Sequence, residues 1–386
     1  MGFGFRGWQD SDNKPKLSEM RFFWGWLSVF FMVFQLRASD DWPRAELTDL
    51  ALKEWIHEFA FPEGNDRPIT SFRTQNRTNA LLIVHKGKIV FEEYQKGFDP
   101  HSRHLTWSIS KSITGILIGL AIQEGVLKKE SLVEEFYPEL KGSGLKVQHL
   151  LHWESGFDWN EDYEYSPIHS RVIQMLFSAG RGDMAQFVVN RGFRNPPGSR
   201  HFYSSGDTIV LGGILKKLWG KDQYFPWTKL FNPLGMNDVT FERDSSGTYL
   251  GSSFLYTSAS NLARIGWMLA SKGVWNEKRI LDPDWISWAT QVAPSFKEAE
   301  ASLKNRWLFP GAQFWVNRKD PTSGLERTWP SIPEGAYFAK GHWGQIMGVF
   351  PEDELVVVRF ADDRTFQFDY ETFFSKILSG LKAKSL

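Results

Sequence analysis

The stretch from Ser110 to Glu124 constrains the fold most. Ile113, Ile116, Leu117, Ile118, Leu120, Ala121 and Ile122 fall on nearly every side of a helical period, and Gly125 stands just past its end. A helix that is apolar almost all round has no solvent face, so it belongs in the middle of a fold. Ahead of it, Ala80 to His85 and Lys88 to Tyr94 are apolar-rich runs joined through Lys86-Gly87, the pattern of a β-hairpin. The chain therefore carries a hairpin leading into a central helix.

The rest is read around that unit. Trp42 to Ala60 has the spacing of an amphipathic helix, with Leu47, Leu50, Ala51, Trp55 and Phe59 close to one face. From about 130 to 250 helical patterning and long polar loops dominate. Strand character returns at Ala312–Val316, Gly335–Ala339, Gln345–Phe350 and Glu354–Phe360, with a turn at Pro351-Glu352-Asp353. Phe368 to Lys382 reads as a closing helix, with Tyr370, Phe373, Phe374, Ile377 and Leu381 on one face. Strands near both ends with helices between predict an α+β fold: one antiparallel sheet flanked by helices, with a mostly helical insertion. The sheet domain is expected from 42–125 and 251–386, and the helical domain from 126–250. A chain of 386 residues is long enough for two such bodies.

The N-terminus has its own signature. Residues 1–21 are polar and expected to be flexible. The segment 22–37 holds an aromatic, apolar run from Phe22 to Leu36, preceded by Lys14, Lys16 and Arg21 and followed by Asp40 and Asp41. A basic flank, a short apolar core and an acidic exit predict a signal peptide or a membrane anchor. The catalytic part would then lie outside the cytoplasm, in the periplasm, with the basic flank inside.

Composition removes several kinds of function. Lys plus Arg number 45 and Asp plus Glu 45, so there is no cationic surplus for nucleic acid. No cysteine is present, which excludes disulfides, thiolate metal sites and cysteine nucleophiles. His149 and His152 lack a zinc spacing and read as structural, and Asp158, Glu161 and Asp162 read as a solvated acidic loop.

A nucleophile must then be Ser, Thr, Lys or a carboxylate. Ser108-Ile109-Ser110-Lys111 stands at the mouth of the central helix. At a separation of three, Ser108 and Lys111 lie one turn apart on the same side. The helix N-terminus favours negative charge near the Ser108 oxygen. Burial on an apolar helix would bring the Lys111 amine down from its usual 10.4 to roughly 7–8, where it can accept a proton. Ser-x-x-Lys recurs at Ser11, Ser143 and Ser379, but only the Ser108 copy opens a long apolar helix after a hairpin. Two further blocks follow. Tyr203-Ser204-Ser205 lies on a loop before the apolar stretch Ile209–Leu215, and Lys340-Gly341-His342-Trp343-Gly344-Gln345 lies on a late strand.

These three blocks, in this order, resemble the serine β-lactamase-like hydrolases: class C β-lactamases, penicillin-binding proteins, and the esterase and 6-aminohexanoate-dimer hydrolase branch. The family pattern is Ser-x-x-Lys, then Tyr-x-Asn, then Lys-Thr-Gly or His-x-Gly. The segments His149–Asp162 and Tyr256–Gly266 are similar to the family's as well. The resemblance implies a β-lactamase/transpeptidase-like fold. It also implies a serine hydrolase that needs no cofactor or metal and acts on a small-molecule or peptide substrate. By position, Ser108 would be acylated, Lys111 and Tyr203 would share acid and base work, and the N–H groups of Ser108 and Gln345 would form the oxyanion hole. Ser205, His342, Trp343, Gly344, Trp159 and Tyr163 would contact substrate, with Tyr165 an alternative to Tyr163. Ser205 stands where the family usually has Asn, His342 where many members have Lys, and Trp343 is bulky for the middle of the third motif. These departures favour an esterase or linear-amide hydrolase over a true β-lactamase. Two other readings are a catalytically dead penicillin-binding-like protein holding cell-wall peptide, and an interaction protein on a membrane.

Overall fold

The computed structural model describes residues 42–62, 77–163, 169–296, 308–319, 326–364 and 368–383. In chain order these carry α1 (Leu50–Ala60), β1 (Thr78–His85), β2 (Lys88–Tyr94), β3 (His104–Leu105) and α2 (Ile109–Gln123). Then come α3 (Val147–Leu151), α4 (Arg171–Phe177), α5 (Met184–Val189), α6 (Ser205–Trp219), β4 (Val239–Phe241) and β5 (Leu255–Thr257). They are followed by α7 (Ala259–Ala270), β6 (Val274–Trp275), β7 (Lys278–Arg279) and α8 (Pro283–Ala289). Last are β8 (Phe309–Pro310), β9 (Trp315–Val316), β10 (Tyr337–Gly341), β11 (Gln345–Phe350), β12 (Leu355–Ala361) and α9 (Tyr370–Lys382). The apolar run Phe22–Leu36 lies outside the described residues. Among the described residues no helix is long and apolar enough to cross a membrane.

The main sheet has seven strands among the described residues, in the order β2-β1-β12-β11-β10-β9-β8, and all its pairings are antiparallel. The N-terminal hairpin thus joins the C-terminal strands through β1 and β12, with Ile83 opposite Val357. The central strands read as continuous apolar runs because both faces are covered. On one face Leu81, Ile83, Phe338, Phe350 and Val357 pack with Ile56 of α1 and Phe373, Phe374 and Ile377 of α9. On the other face α7 lies over β1, β11 and β12, and α2 over β10. Residues Pro43–Leu386 form one compact unit.

Several boundaries differ from expectation. The first helix begins at Leu50, not Trp42. Asp49 caps it, accepting from the Leu52 N–H at 3.0 Å, while Pro43 to Ala45 run alongside Ile89 as a strand bridge. The run Ala312–Val316 is a strand only at Trp315–Val316. A small sheet, β3-β5-β4, has no periodic signature because its strands are two or three residues long. Helix α2 matches its pattern: Ile109 through Ala121 are all buried.

Candidate active site

The N-terminus of α2, the start of α6 and the β10–β11 junction meet at one place. Ser108 precedes α2 with helical backbone angles, but its side chain makes no capping bond to the helix. A capping serine would satisfy an N–H of the first turn. Here Oγ lies 2.9 Å from Lys111 Nζ, on the side of the Tyr203 phenol. Lys111 is only 1 % exposed. It also donates to the Ser252 carbonyl at 2.9 Å and lies 4.9 Å from the centre of the Tyr203 ring. Burial brings its pKa down to about 8, opposed in part by the negative charge of Glu161. An amine so placed switches between donor and proton acceptor near neutral pH. Burial raises the Tyr203 phenol well above its ordinary range, so it stays protonated and can hand a proton on.

The third block turns sharply. Between β10 and β11, Trp343 has φ 57° and Gly344 has φ 86°, both left-handed. Gly344 is needed for room as well as for angle, since a Cβ there would lie 2.4 Å from Asp363 Oδ2. The peptide joining Gly344 to Gln345 is pinned from behind. Its carbonyl accepts from Tyr370 OH at 2.9 Å and from Arg359 Nη1 at 3.4 Å. Arg359 is in turn clamped bidentately by Asp363, at 2.6 and 3.0 Å. The Gln345 side chain is buried and tied to β12. Its Nε2 donates to the Ala361 carbonyl at 2.6 Å and its Oε1 accepts from the Ala361 N–H at 3.0 Å.

The residues expected from the sequence to contact substrate separate into two groups. His342, Trp343, Gly344 and Tyr163 are half-buried. The His342 ring stacks 5.7 Å from Tyr163 and 4.7 Å from Trp343. Ser205 and Trp159 are corrections: they are 0 % and 1 % exposed and cannot touch a substrate in this conformation. Both bind Glu161 instead. Trp159 Nε1 donates to it at 2.6 Å, the Ser205 N–H at 3.0 Å, and the Ser205 hydroxyl donates to its second oxygen. The reason is local: Ser205 opens α6, and its N–H and Oγ face the loop that carries Glu161. Trp153 is also buried, against Tyr203 and Trp315. Tyr165 lies outside the described residues.

Sequence reasoning missed three contributors. Glu161 was grouped with the solvated acids. Asp158 is indeed an exposed partner of Arg194 and Arg171, whereas Glu161 turns into the site. A carboxylate two residues from both a Trp and a Tyr was its only signal. Trp107, with φ 49°, adjoins Ser108 and meets Trp343 edge-on at 5.3 Å; nothing in its neighbourhood marks it. Ser252 acts through its backbone carbonyl, which no residue type can announce. His152 is buried with its pKa held near 4 by burial, in keeping with a structural histidine. Among the described residues no group of three or more His, Cys, Asp or Glu could hold a metal.

A Ser–Lys–Tyr constellation at a helix mouth, facing a kinked strand of an antiparallel sheet, is the arrangement of a β-lactamase/transpeptidase-like protein. The Beta-lactamase family model matches residues 66–374, and the chain belongs to that family of serine hydrolases. It is 29 % identical over 301 residues to the 6-aminohexanoate-dimer hydrolase of Paenarthrobacter ureafaciens, covering 74 % of this chain and 72 % of that protein. Its fold is similar to that of the hydrolase EstCE1, described as having promiscuous acyltransferase activity, with TM-score 0.62 at 15 % identity over 86 % of this chain and 97 % of that one. It is also similar to a penicillin-binding protein homolog from Caulobacter crescentus, with TM-score 0.60 at 16 % identity over 87 % and 97 % of the two chains.

Proposed function

We propose that the protein cleaves a linear amide or ester through an acyl-Ser108 intermediate. The observation that carries the reading is the 2.9 Å contact between Ser108 Oγ and the buried Lys111 amine. Neutral Lys111 accepts the Ser108 proton as Oγ bonds to the substrate carbonyl carbon and the carbonyl electron pair moves onto oxygen. The N–H groups of Ser108 and Gln345 receive that oxyanion, a donor being worth about 3–4 kcal/mol of barrier. The leaving amine or alkoxide takes a proton from Lys111, relayed by Tyr203, and departs. Water then cleaves the acyl bond and Ser108 regains its proton. His342, Tyr163 and Trp343 bound the cleft and would orient the substrate. A linear-amide preference is supported by the likeness to a 6-aminohexanoate-dimer hydrolase, and the departures at Ser205 and His342 favour either an ester or a linear amide over a β-lactam.

The test is intact-mass analysis after a fluorophosphonate, beside turnover of short acyl esters, 6-aminohexanoate oligomers, D-Ala-D-Ala peptides and β-lactams. One adduct, absent in Ser108→Ala together with turnover, supports the reading. Ester hydrolysis undiminished in Ser108→Ala overturns it. Peptide affinity without turnover would mark a binding protein instead.

A further inference from the structure

Ser205 occupies the place of a carboxamide that the family usually presents near the lysine, and its hydroxyl is turned away to Glu161. Something else must face the charge that appears when Lys111 takes up the Ser108 proton. We propose that Glu161 is the anionic counterweight to the Lys111 ammonium during acylation, with Ser205 and Trp159 as the arms that hold its carboxylate in place. It is a positioning residue, exchanging no atom with the substrate, and this role rests on the acyl-Ser108 reading.

Four donors address its two oxygens. Trp159 Nε1 and the Ser205 N–H reach Oε2 at 2.6 and 3.0 Å. The Ser205 hydroxyl reaches Oε1, and Tyr163 OH lies 3.3 Å from it. All four are neutral, and among the described residues Glu161 makes no direct ion pair. The carboxylate also sits at the N-terminus of the 15-residue α6, whose dipole favours an anion there. It is therefore fixed in position while, among the described residues, no cation in contact cancels its charge. Glu161 accepts from the N–H of Ser205, two residues past Tyr203, whose ring centre lies 4.9 Å from Lys111 Nζ, and a fixed anion on that side of a buried amine stabilises its protonated form.

Among the described residues the other titratable groups of the site are these. Lys111 comes from α2, Tyr203 precedes α6, Asp207 lies in the first turn of α6, Tyr163 is on the Glu161 loop, and His342 stacks on Tyr163. The negative charge of Glu161 raises the pKa of Lys111, Tyr163, Tyr203 and Asp207 alike. The Lys111 effect is the consequential one, because Lys111 alone of these bonds Ser108 as an amine.

The geometry supplies a clean variant. In Glu161→Gln the amide oxygen can still accept from Trp159 and the Ser205 N–H, while the new NH₂ donates to the Ser205 and Tyr163 hydroxyls, which reverse. The full chain is labelled with a fluorophosphonate across pH 6 to 9.5, and hydrolysis of a short acyl ester is followed in parallel. Removing the anion lowers the Lys111 midpoint, so the acidic limb of the labelling rate moves down by about one pH unit, with the plateau rate about tenfold lower. Glu161→Asp, which keeps the charge, leaves the limb within a few tenths of wild type even where its rate falls. Ser205→Ala shifts the limb in the same direction by less, and adds nothing in the Glu161→Gln background. A purely structural Glu161 would lower rates in Gln and Asp alike without moving the limb, and that result overturns the proposal. Should Glu161→Gln fail to fold, the Ser205→Ala and Glu161→Asp limbs decide: identical limbs sink it. Labelling that survives Ser108→Ala removes the acylation reading itself and this role with it. Labelling confined to Ser108 with an unmoved limb removes only the role of Glu161.

Discussion

The Tyr370 hydroxyl donates to the Gly344 carbonyl across 2.9 Å, tying the last helix to the turn between β10 and β11. In a trans peptide the carbonyl and the following N–H point in opposite directions. Holding the Gly344 oxygen from behind therefore aims the Gln345 N–H the other way. Tyr370→Phe deletes this donor and leaves only Arg359 Nη1 at 3.4 Å. The expected outcome is a roughly tenfold loss in kcat and in fluorophosphonate labelling, equivalent to about 1.4 kcal/mol, with KM little changed. A thermal melt within a few degrees of wild type should accompany it. Unchanged labelling would show that the turn holds its shape without the phenol.

The pH dependence follows from Lys111, whose ordinary value of 10.5 is brought down to about 8 by burial. Only the neutral amine can take the Ser108 proton, and its fraction grows as pH rises through that value. Labelling and ester hydrolysis should therefore climb between pH 7 and 9, with a midpoint near 8, and then level off. Lys111→Ala should lose both the limb and about two to four powers of ten in rate. Lys111→Arg should be equally inactive, because a guanidinium does not become neutral in this range. A rate independent of pH from 6 to 9.5 in the wild type would contradict Lys111 as the base.

The legible parts of this protein were those in which chemistry and local pattern coincide. Ser108 and Lys111 were readable because a reactive pair opens a helix apolar enough to demand a central position. Tyr203 and Gly344 were readable because they sit at the edges of equally plain elements. Glu161 was hidden by its neighbours: next to Asp162 and close to Asp158 it looked like solvent-facing charge. Its inward turn depends on donors that meet only in the folded chain, Trp159 Nε1 and the N–H of Ser205 at the start of α6. Ser205 and Trp159 were assigned to substrate because the family pattern gives a position and not a side-chain direction. The β3–β5 strands escaped because two residues carry no period. The Arg359–Tyr370–Gly344 linkage joins elements whose adjacency exists only after folding.

Arg359 and Asp363 form a doubly hydrogen-bonded ion pair at 0 % and 1 % side-chain exposure. Arg359 Nε also donates to Thr78 Oγ1 at 2.8 Å, and Asp363 Oδ1 accepts from the Arg77 N–H at 2.7 Å. The pair thereby joins the N-terminal hairpin to the turn between β10 and β11. Asp363→Ala would leave a buried guanidinium without its partner, a change that typically costs about 3–5 kcal/mol. The variant should melt far below the wild type and lose labelling, whereas Tyr370→Phe should lose labelling alone. Equal melting temperatures for Asp363→Ala and wild type would show that water or a neighbouring acceptor replaces the carboxylate.

Gly251 tests the support of the lysine from its other side. A Cβ at this position would lie 2.1 Å from Thr114 Oγ1, which itself donates to the Gly251 carbonyl at 3.2 Å. Gly251→Ala must therefore push the strand-entry segment off α2, an overpacking that costs about 1–3 kcal/mol. The next carbonyl along, that of Ser252, accepts from Lys111 Nζ at 2.9 Å. Moving it frees the amine from one of its fixed contacts, so labelling of Ser108 should slow together with the fall in melting temperature. Thr114→Ala removes the obstructing oxygen, and in the double variant it should recover part of both losses, a non-additivity expected of groups in contact. If Gly251→Ala melted lower while labelling at the wild-type rate, the Ser252 carbonyl would be a packing feature with no hold on Lys111.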